Sequence, residues 1–253
     1  MTALVQLPAT AAELSDWLRG ELELGFGFEY SEYERDSLEE GVWFVPVTLS
    51  YLFDDFVPTP TRRDQIEISL LASYLRVDSN FSGVETLNHG QGDLLLELTY
   101  LAFPARWPAL AISGRVKFPT ASEDDLLGTG ATDYGVQVEL FKRFGRFTPF
   151  LVGGYGLTGR VSDFDLRDGP FASVGVTASI GKRVALGIAY EWRQSVSIAG
   201  ENSHELLPFA SIAFPGAGPL RVVRVEPYAS VGFTEVSPKF AAGLQIRLGF
   251  PIR

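Results

Sequence analysis

The chain has 253 residues, enough for one large all-β domain or two ordinary ones, with a net charge of −10 and 46% hydrophobic residues. Absence of cysteine excludes a disulfide framework and thiolate metal sites, and the acidic balance leaves no basic surplus for nucleic-acid phosphates. No run approaches the ~18 consecutive apolar residues of a helical membrane span.

Met1 to Thr10 has no basic n-region, and its short apolar run is broken by Pro8, so it does not read as a signal peptide. The expectation is a mature exported chain that begins on a replacement Met. Thr10-Ala11-Ala12-Glu13 has capping-box spacing, and a helix from Ala11 would gather Leu14, Trp17 and Leu18 on one side. Residues 1–16 are therefore expected to form an N-terminal periplasmic extension or plug, and residues 17–253 a transmembrane β-barrel.

From residue 18 on, the pattern is alternation of period two. Leu18, Leu22, Leu24, Phe26, Phe28 and Tyr30 share one face, interrupted by Gly20; Arg19, Glu21, Glu23, Gly25, Gly27 and Glu29 share the other. The next apolar faces are Trp43-Val45-Val47-Leu49-Tyr51-Phe53 and Ile66-Ile68-Leu70-Ala72-Tyr74. Leu94, Leu96, Leu98 and Tyr100 oppose Asp93, Leu95, Glu97 and Thr99, and Leu110, Ile112, Val116 and Phe118 oppose Ser113, Arg115 and Lys117. Tyr134, Val136, Val138 and Leu140 oppose Asp133, Gln137 and Glu139. Thr148–Thr158 shows no clear face, because glycines occupy both.

In the C-terminal part Ala172, Val174, Val176, Ala178 and Ile180 alternate with Ser173, Thr177 and Ser179, and Val184, Leu186, Ile188, Tyr190 and Trp192 with Glu191 and Arg193. A weaker face follows at Pro208, Ala210, Ile212 and Phe214. Val223, Val225, Ala229, Val231 and Phe233 oppose Arg224, Glu226, Tyr228 and Ser230; Phe240 to Phe250, taken at even positions, oppose Gln245 and Arg247. About twelve strands result, many near the roughly 9–11 residues of a tilted membrane strand. The connections alternate between mostly short ones, such as Phe144–Arg146 and Gly181–Arg183, and longer ones, such as Ser31–Gly41, Val77–Gln91 and Pro119–Thr132. The spacing predicts a closed antiparallel up-and-down barrel in the bacterial outer membrane, with short periplasmic turns, long external loops and both termini in the periplasm. Aromatics at strand ends (Trp43, Tyr51, Phe53, Tyr74, Tyr100, Tyr190, Trp192, Phe250) read as interfacial girdles.

If the apolar face meets lipid, the other lines a lumen. Candidate channel-lining residues are Arg19, Glu21, Glu23, Asp93, Glu97, Arg115, Lys117, Asp133, Glu139, Arg193, Arg224, Glu226 and Arg247. Arg193, Arg224, Arg247 and Arg19 are expected to form a basic stripe, with Glu97 and Glu139 elsewhere on the wall, setting a transverse field on permeants. Cross-strand pairing that merely fills the interior is the alternative. The only histidines, His89 and His204, fall in or beside external loops. Ser203-His204-Glu205 makes no triad, since adjacent strand residues point to opposite faces. Glu123-Asp124-Asp125 could hold a hard cation, but a solvated loop explains it better.

With the strands placed, Val116-Lys117-Phe118-Pro119-Thr120, Gly128-Thr129-Gly130, Asp133-Tyr134-Gly135 and Gly153-Gly154-Tyr155-Gly156 form an ordered series. It resembles the outer-membrane transporter family associated with the meta-pathway of phenol degradation, over roughly Leu94 to Gly159. The resemblance implies a Gram-negative, monomeric barrel of about twelve strands that carries small compounds inward, hydrophobic or aromatic ones among them. One departure is that Phe250 keeps the strand phase of a terminal aromatic assembly signal but is followed by Pro251-Ile252-Arg253. The expected function is a porin-like channel for passive uptake, without cofactor or metal and without enzymatic activity, whose partners are outer-membrane lipid and small permeants. A lipid-modifying barrel enzyme, a structural or adhesive barrel, and a soluble β-sandwich binding module are the alternatives.

Overall fold

Strand follows strand with no helix among the described residues. The computed structural model describes residues 20–35, 38–54, 62–104, 108–160, 166–197 and 200–252. The leader to residue 19, with Arg19 and the expected plug, lies outside them. The strands are β1 (Glu21–Arg35), β2 (Leu38–Asp54), β3 (Arg62–Phe81), β4 (Val84–Gln91), β5 (Leu94–Pro104), β6 (Ala109–Phe118), β7 (Asp133–Phe141), β8 (Phe147–Leu157), β9 (Gly169–Ile180), β10 (Val184–Arg193), β11 (Ser203–Pro215), β12 (Val222–Gly232) and β13 (Phe240–Pro251). Each pairs antiparallel with its neighbours, and β1 pairs with both β2 and β13. β3 pairs with β2 on one side and β5 on the other. The result is a closed barrel of twelve strands, with β4 standing outside the ring as the partner of the outer part of β3.

Closure removes every sheet edge inside the membrane, which is how a strand-built protein satisfies its backbone in hydrocarbon. The alternation then sorts side chains by face. Phe26, Val47, Leu70, Leu98, Ile112, Val138, Leu151, Val174, Ile188, Phe214, Val231 and Phe240, one from each barrel strand, are exposed on the outside. The outward positions of Leu94–Tyr100, Leu110–Phe118, Tyr134–Leu140 and Val184–Trp192 carry no charge. Aromatic rings close the band at both ends. Tyr30 and Trp43 meet at 4.9 Å between centroids at the external end, and Tyr51 and Phe53 at 4.3 Å at the other.

Two connections and one strand depart from expectation. Val77–Gln91 is not an open loop: β3 runs on to Phe81 and returns as β4 through Ser82-Gly83, both at positive φ (52° and 87°), as a two-residue type I′ hairpin requires. Ser31–Gly41 likewise continues the pairing of β1 with β2, out to Arg35 and Leu38. A tilted strand crosses the bilayer in about 10 residues. The 17 residues of β2 and 20 of β3 therefore carry the sheet beyond the external girdle at Trp43 and Tyr74. Finally, β8 does have faces: Phe147, Pro149, Leu151, Tyr155 and Leu157 are exposed, while Thr148, Phe150 and Val152 are buried inside.

Candidate functional site

Inward faces meet in a lumen whose charge is organised by local pairing. On one side Glu23 of β1 accepts from Arg224 of β12 at 2.9 Å and from Arg247 of β13 at 3.3 Å. Arg247 also reaches Glu226 at 2.9 Å, and Ser211 donates to the same carboxylate at 3.2 Å. Nearer the periplasmic end Glu21 lies 3.7 Å from Arg221. The expected basic stripe is thus interrupted. Arg224 and Arg247 do fall in one sector, but Glu23 sits between them because β1 closes the ring against β13 and its acidic face comes into register with their guanidinium groups.

At the external end Lys117 bridges two carboxylates, Asp133 at 2.8 Å and Asp93 at 3.1 Å. Asp93 is 2% exposed and accepts from the backbone N–H groups of Thr120 and Ala121, both at 3.1 Å. Asp133 accepts from the N–H of Gly159 at 2.8 Å, and Lys117 donates to Thr129 at 3.2 Å. One half-buried ammonium therefore ties the β5, β6 and β7 strand ends to the loop 119–132. That loop turns Leu127 inward, where it is buried, against Gly90 of β4, whose missing side chain leaves room for it. Lys117, Thr120, Thr129 and Asp133, all within the series that carries the family resemblance, anchor an external loop at the lumen mouth.

Arg115 and Arg193 behave differently. Among the described residues neither has a carboxylate within 4 Å, although Glu97 is the register partner of Arg115. Both stand over the ring of Phe171, at 5.3 and 6.0 Å from its centroid. Glycines permit this arrangement. Phe171 lies across Gly154, where a Cβ would come within 2.2 Å of the ring, and Arg115 lies across Gly135, where the approach would be 2.6 Å.

Further toward the periplasm the wall from β7 to β11 turns apolar. Phe141, Phe150, Val152, Ala189, Leu207 and Phe209 form a buried cluster, joined by Phe103, Phe171 and Tyr228. Phe150 and Phe209, three strands apart, meet at 6.5 Å over Gly175 and Gly187. Tyr228 crosses Gly243 and donates to Glu29 at 2.6 Å.

Between the external loops and these layers lies a cavity of about 600 Å³, within the roughly 300–1,000 Å³ of small-molecule sites. Of the predicted lining residues, Glu23, Asp93, Glu97, Arg115, Lys117, Asp133, Arg193 and Arg247 bound it. Glu21, Glu139, Arg224 and Glu226 point inward but lie outside its walls. Phe171 and Glu205 also bound it, and sequence reasoning missed both as lining residues. Their phase was readable from the outward neighbours Ala172 and Leu206, but an inward phenylalanine inverts the usual colour of a membrane strand.

His204 points to the outer face, where its Nδ1 pairs with the hydroxyl of Tyr190 at 2.6 Å. Ser203 turns inward and donates to Glu205 at 3.1 Å. The three adjacent residues therefore share no site. His89 repeats the arrangement with Tyr74, at 2.9 Å. Glu123, Asp124 and Asp125 are exposed in the β6–β7 loop, and no group of three or more metal-ligating side chains gathers among the described residues.

An edge-free barrel with an apolar outer band, aromatic girdles and a polar interior defines this chain as a bacterial outer-membrane β-barrel. No protein-family model matches the chain, and neither does any curated protein sequence. Among solved structures it is similar to an outer-membrane channel from Pseudomonas putida F1, with a TM-score of 0.74 at 17% identity over 97% of this chain and 100% of that one. The β domain of the Bordetella autotransporter BrkA gives a TM-score of 0.57 at 14% identity over 92% of this chain and 100% of that one. At these identities the likeness is one of fold.

Proposed function

We propose that the protein is an outer-membrane channel for passive uptake of small molecules, hydrophobic or aromatic compounds among them, acting as a monomer without a cofactor. The observation that carries this reading is the cavity of about 600 Å³ inside the barrel, reached by residues of the external loops and lined by charged side chains together with Phe44, Leu71, Leu95 and Phe171. A solute entering from outside passes the Lys117–Asp93–Asp133 anchor and then meets Arg115, Arg193 and Phe171. It then faces a split floor: the Glu23–Arg224–Arg247 network under β1, β12 and β13, and the phenylalanine layer under β7 to β11. A wall of both kinds accommodates solutes that are partly apolar and partly charged, since each portion keeps a matching surface. The Lys117 anchor holds the loop 119–132 at the entrance, so the mouth keeps a fixed shape as solutes pass.

The reading is tested by swelling of proteoliposomes in isosmotic solutions of a small sugar or of benzoate. Swelling that exceeds protein-free vesicles and falls with solute size is expected. Rates equal to protein-free vesicles, from protein shown to be folded by its heat-modifiable migration, would refute it.

A further inference from the structure

One arc of the barrel is free of negative charge. Between Leu140 and Ser162, and again between Gly169 and Tyr190, the chain has no Asp or Glu. These stretches hold β8, β9 and the two periplasmic turns beside them, and the turns carry Lys142, Arg143, Arg146, Lys182 and Arg183. At the external end, by contrast, Arg76 is held by Asp78 at 3.0 Å and Lys239 by Glu34.

The two turns are neighbours, since the N–H of Ser179 donates to the carbonyl of Arg146 at 2.8 Å. Phe144 and Phe147 exchange N–H···O bonds at 2.7 and 3.0 Å, which sets both rings on one face. That face is the lipid one, because Phe147 continues the exposed row of Pro149 and Leu151. Phe144 is 59% exposed, Phe147 43% and Ile180 54%. Cations lie directly on these rings: the Arg146 guanidinium stands 4.8 Å from the Phe147 centroid and the Lys142 ammonium 5.7 Å from that of Phe144. Arg146, Lys182 and Arg183 are exposed at the tips. The apolar band therefore passes straight into positive surface, the order in which acyl chains and phosphates follow each other in a phospholipid leaflet. The chain as a whole is at −10, so attraction to an anionic headgroup is confined to this arc, within a Debye length of about 8 Å.

We propose that the periplasmic rim from β7 to β10 is a binding surface for anionic phospholipid. The acyl chains lie along Phe144, Phe147 and Ile180, and the phosphate diester is held by Arg146, Lys182 and Arg183. A headgroup with its own ammonium, such as phosphatidylethanolamine, brings a positive charge against these cations and is disfavoured relative to phosphatidylglycerol. Free phosphate gains nothing from the exposed rings beside the cations, which is why the lipid is the occupant. The surface lies outside the barrel and is independent of the cavity and of conduction.

The test uses the full chain in symmetric phosphatidylcholine vesicles with a minor fraction of brominated phosphatidylglycerol or brominated phosphatidylethanolamine. A bimane label is placed at Ala178→Cys, beside Phe147, or at Ala242→Cys, beside Tyr30 at the external end. Quenching at position 178 is expected to show about fivefold enrichment of phosphatidylglycerol, the order of one basic residue's attraction at a charged surface. At position 242 the two lipids are expected to quench equally. The preference at 178 is expected to fall in about 1 M salt, where the Debye length is roughly 3 Å, and to vanish in Arg146→Gln/Lys182→Gln/Arg183→Gln. Should that variant lose its heat-modifiable migration, Lys182→Gln/Arg183→Gln leaves the Arg146–Phe147 contact in place and is expected to weaken the preference. Equal quenching at 178 by both lipids in the otherwise unmodified chain would overturn the proposal and leave the rim to an acidic periplasmic protein. A preference unchanged in either variant would overturn it too. So would loss of the preference to inorganic phosphate at constant ionic strength, which would make the rim a free-anion site.

Discussion

Two residues hold the charges of the lumen in place. Glu23 is shared by Arg224 and Arg247, so Glu23→Gln removes a carboxylate from both guanidinium groups at once. Breaking a buried pair from one side costs roughly 3–5 kcal/mol; with Glu23 17% exposed to the lumen, a loss at the lower end, about 3 kcal/mol, is expected in urea unfolding. The double variant Glu23→Gln/Arg224→Met is expected to recover part of it, because it removes both members. Lys117→Met leaves Asp93 and Asp133 without their cation and is expected to free the loop 119–132, read as faster proteolysis between Thr120 and Thr132. An unchanged cleavage rate would show that the backbone bonds to Asp93 suffice. The inward phase of these residues was legible in the sequence, since period-two alternation assigns every side chain to a face. Their partners were not. Arg247 meets Glu23 across 224 residues of sequence, and only the closing register of β1 against β13 decides that a basic stripe becomes a paired network.

Strand elements were legible wherever one face meets lipid and the other the lumen. Where both faces meet water the signal vanishes. Arg76, Asp78 and Asn80 stand on the outer face of β3 where Ile68 and Leu70 stand lower down, so the apolar outer face stops there and the outer hairpin read as a loop. β4 pairs with β3 alone, which makes it dispensable for closure. Joining Val77 to Asn88 through an Asn-Gly turn keeps Gly90 under Leu127, and is expected to leave heat-modifiable folding intact. Loss of folding would place β4 in the barrel's stability. β8 hid its faces for another reason: Gly154 and Gly156 inside and Gly153 outside carry no hydrophobicity to alternate. The inward glycines matter sterically. A Cβ at Gly175 would stand 2.3 Å from the Phe150 ring and 2.6 Å from the carbonyl oxygen of Ile188. Gly175→Val is thus expected to destabilise the barrel by about 1–3 kcal/mol, as overpacking does, seen as a lower temperature for loss of the compact form on gels.

At the scale of the whole molecule, fold and orientation follow from the outer face and the lengths of the connections. Function follows from the cavity. Because the chain has no cysteine, single introduced thiols report topology without background. Ser82→Cys at the β3–β4 tip is expected to react with a membrane-impermeant maleimide on intact cells, and Gly145→Cys in the β7–β8 turn only after lysis; the reverse pattern would invert the barrel. The claim that the cavity is part of a conducting path is tested most directly by single-channel recording in a planar bilayer, with wild type beside Arg193→Gln. Discrete steps whose ion selectivity shifts away from anions in the variant are predicted. Silent bilayers from folded protein, or steps with the same selectivity in both, would contradict it.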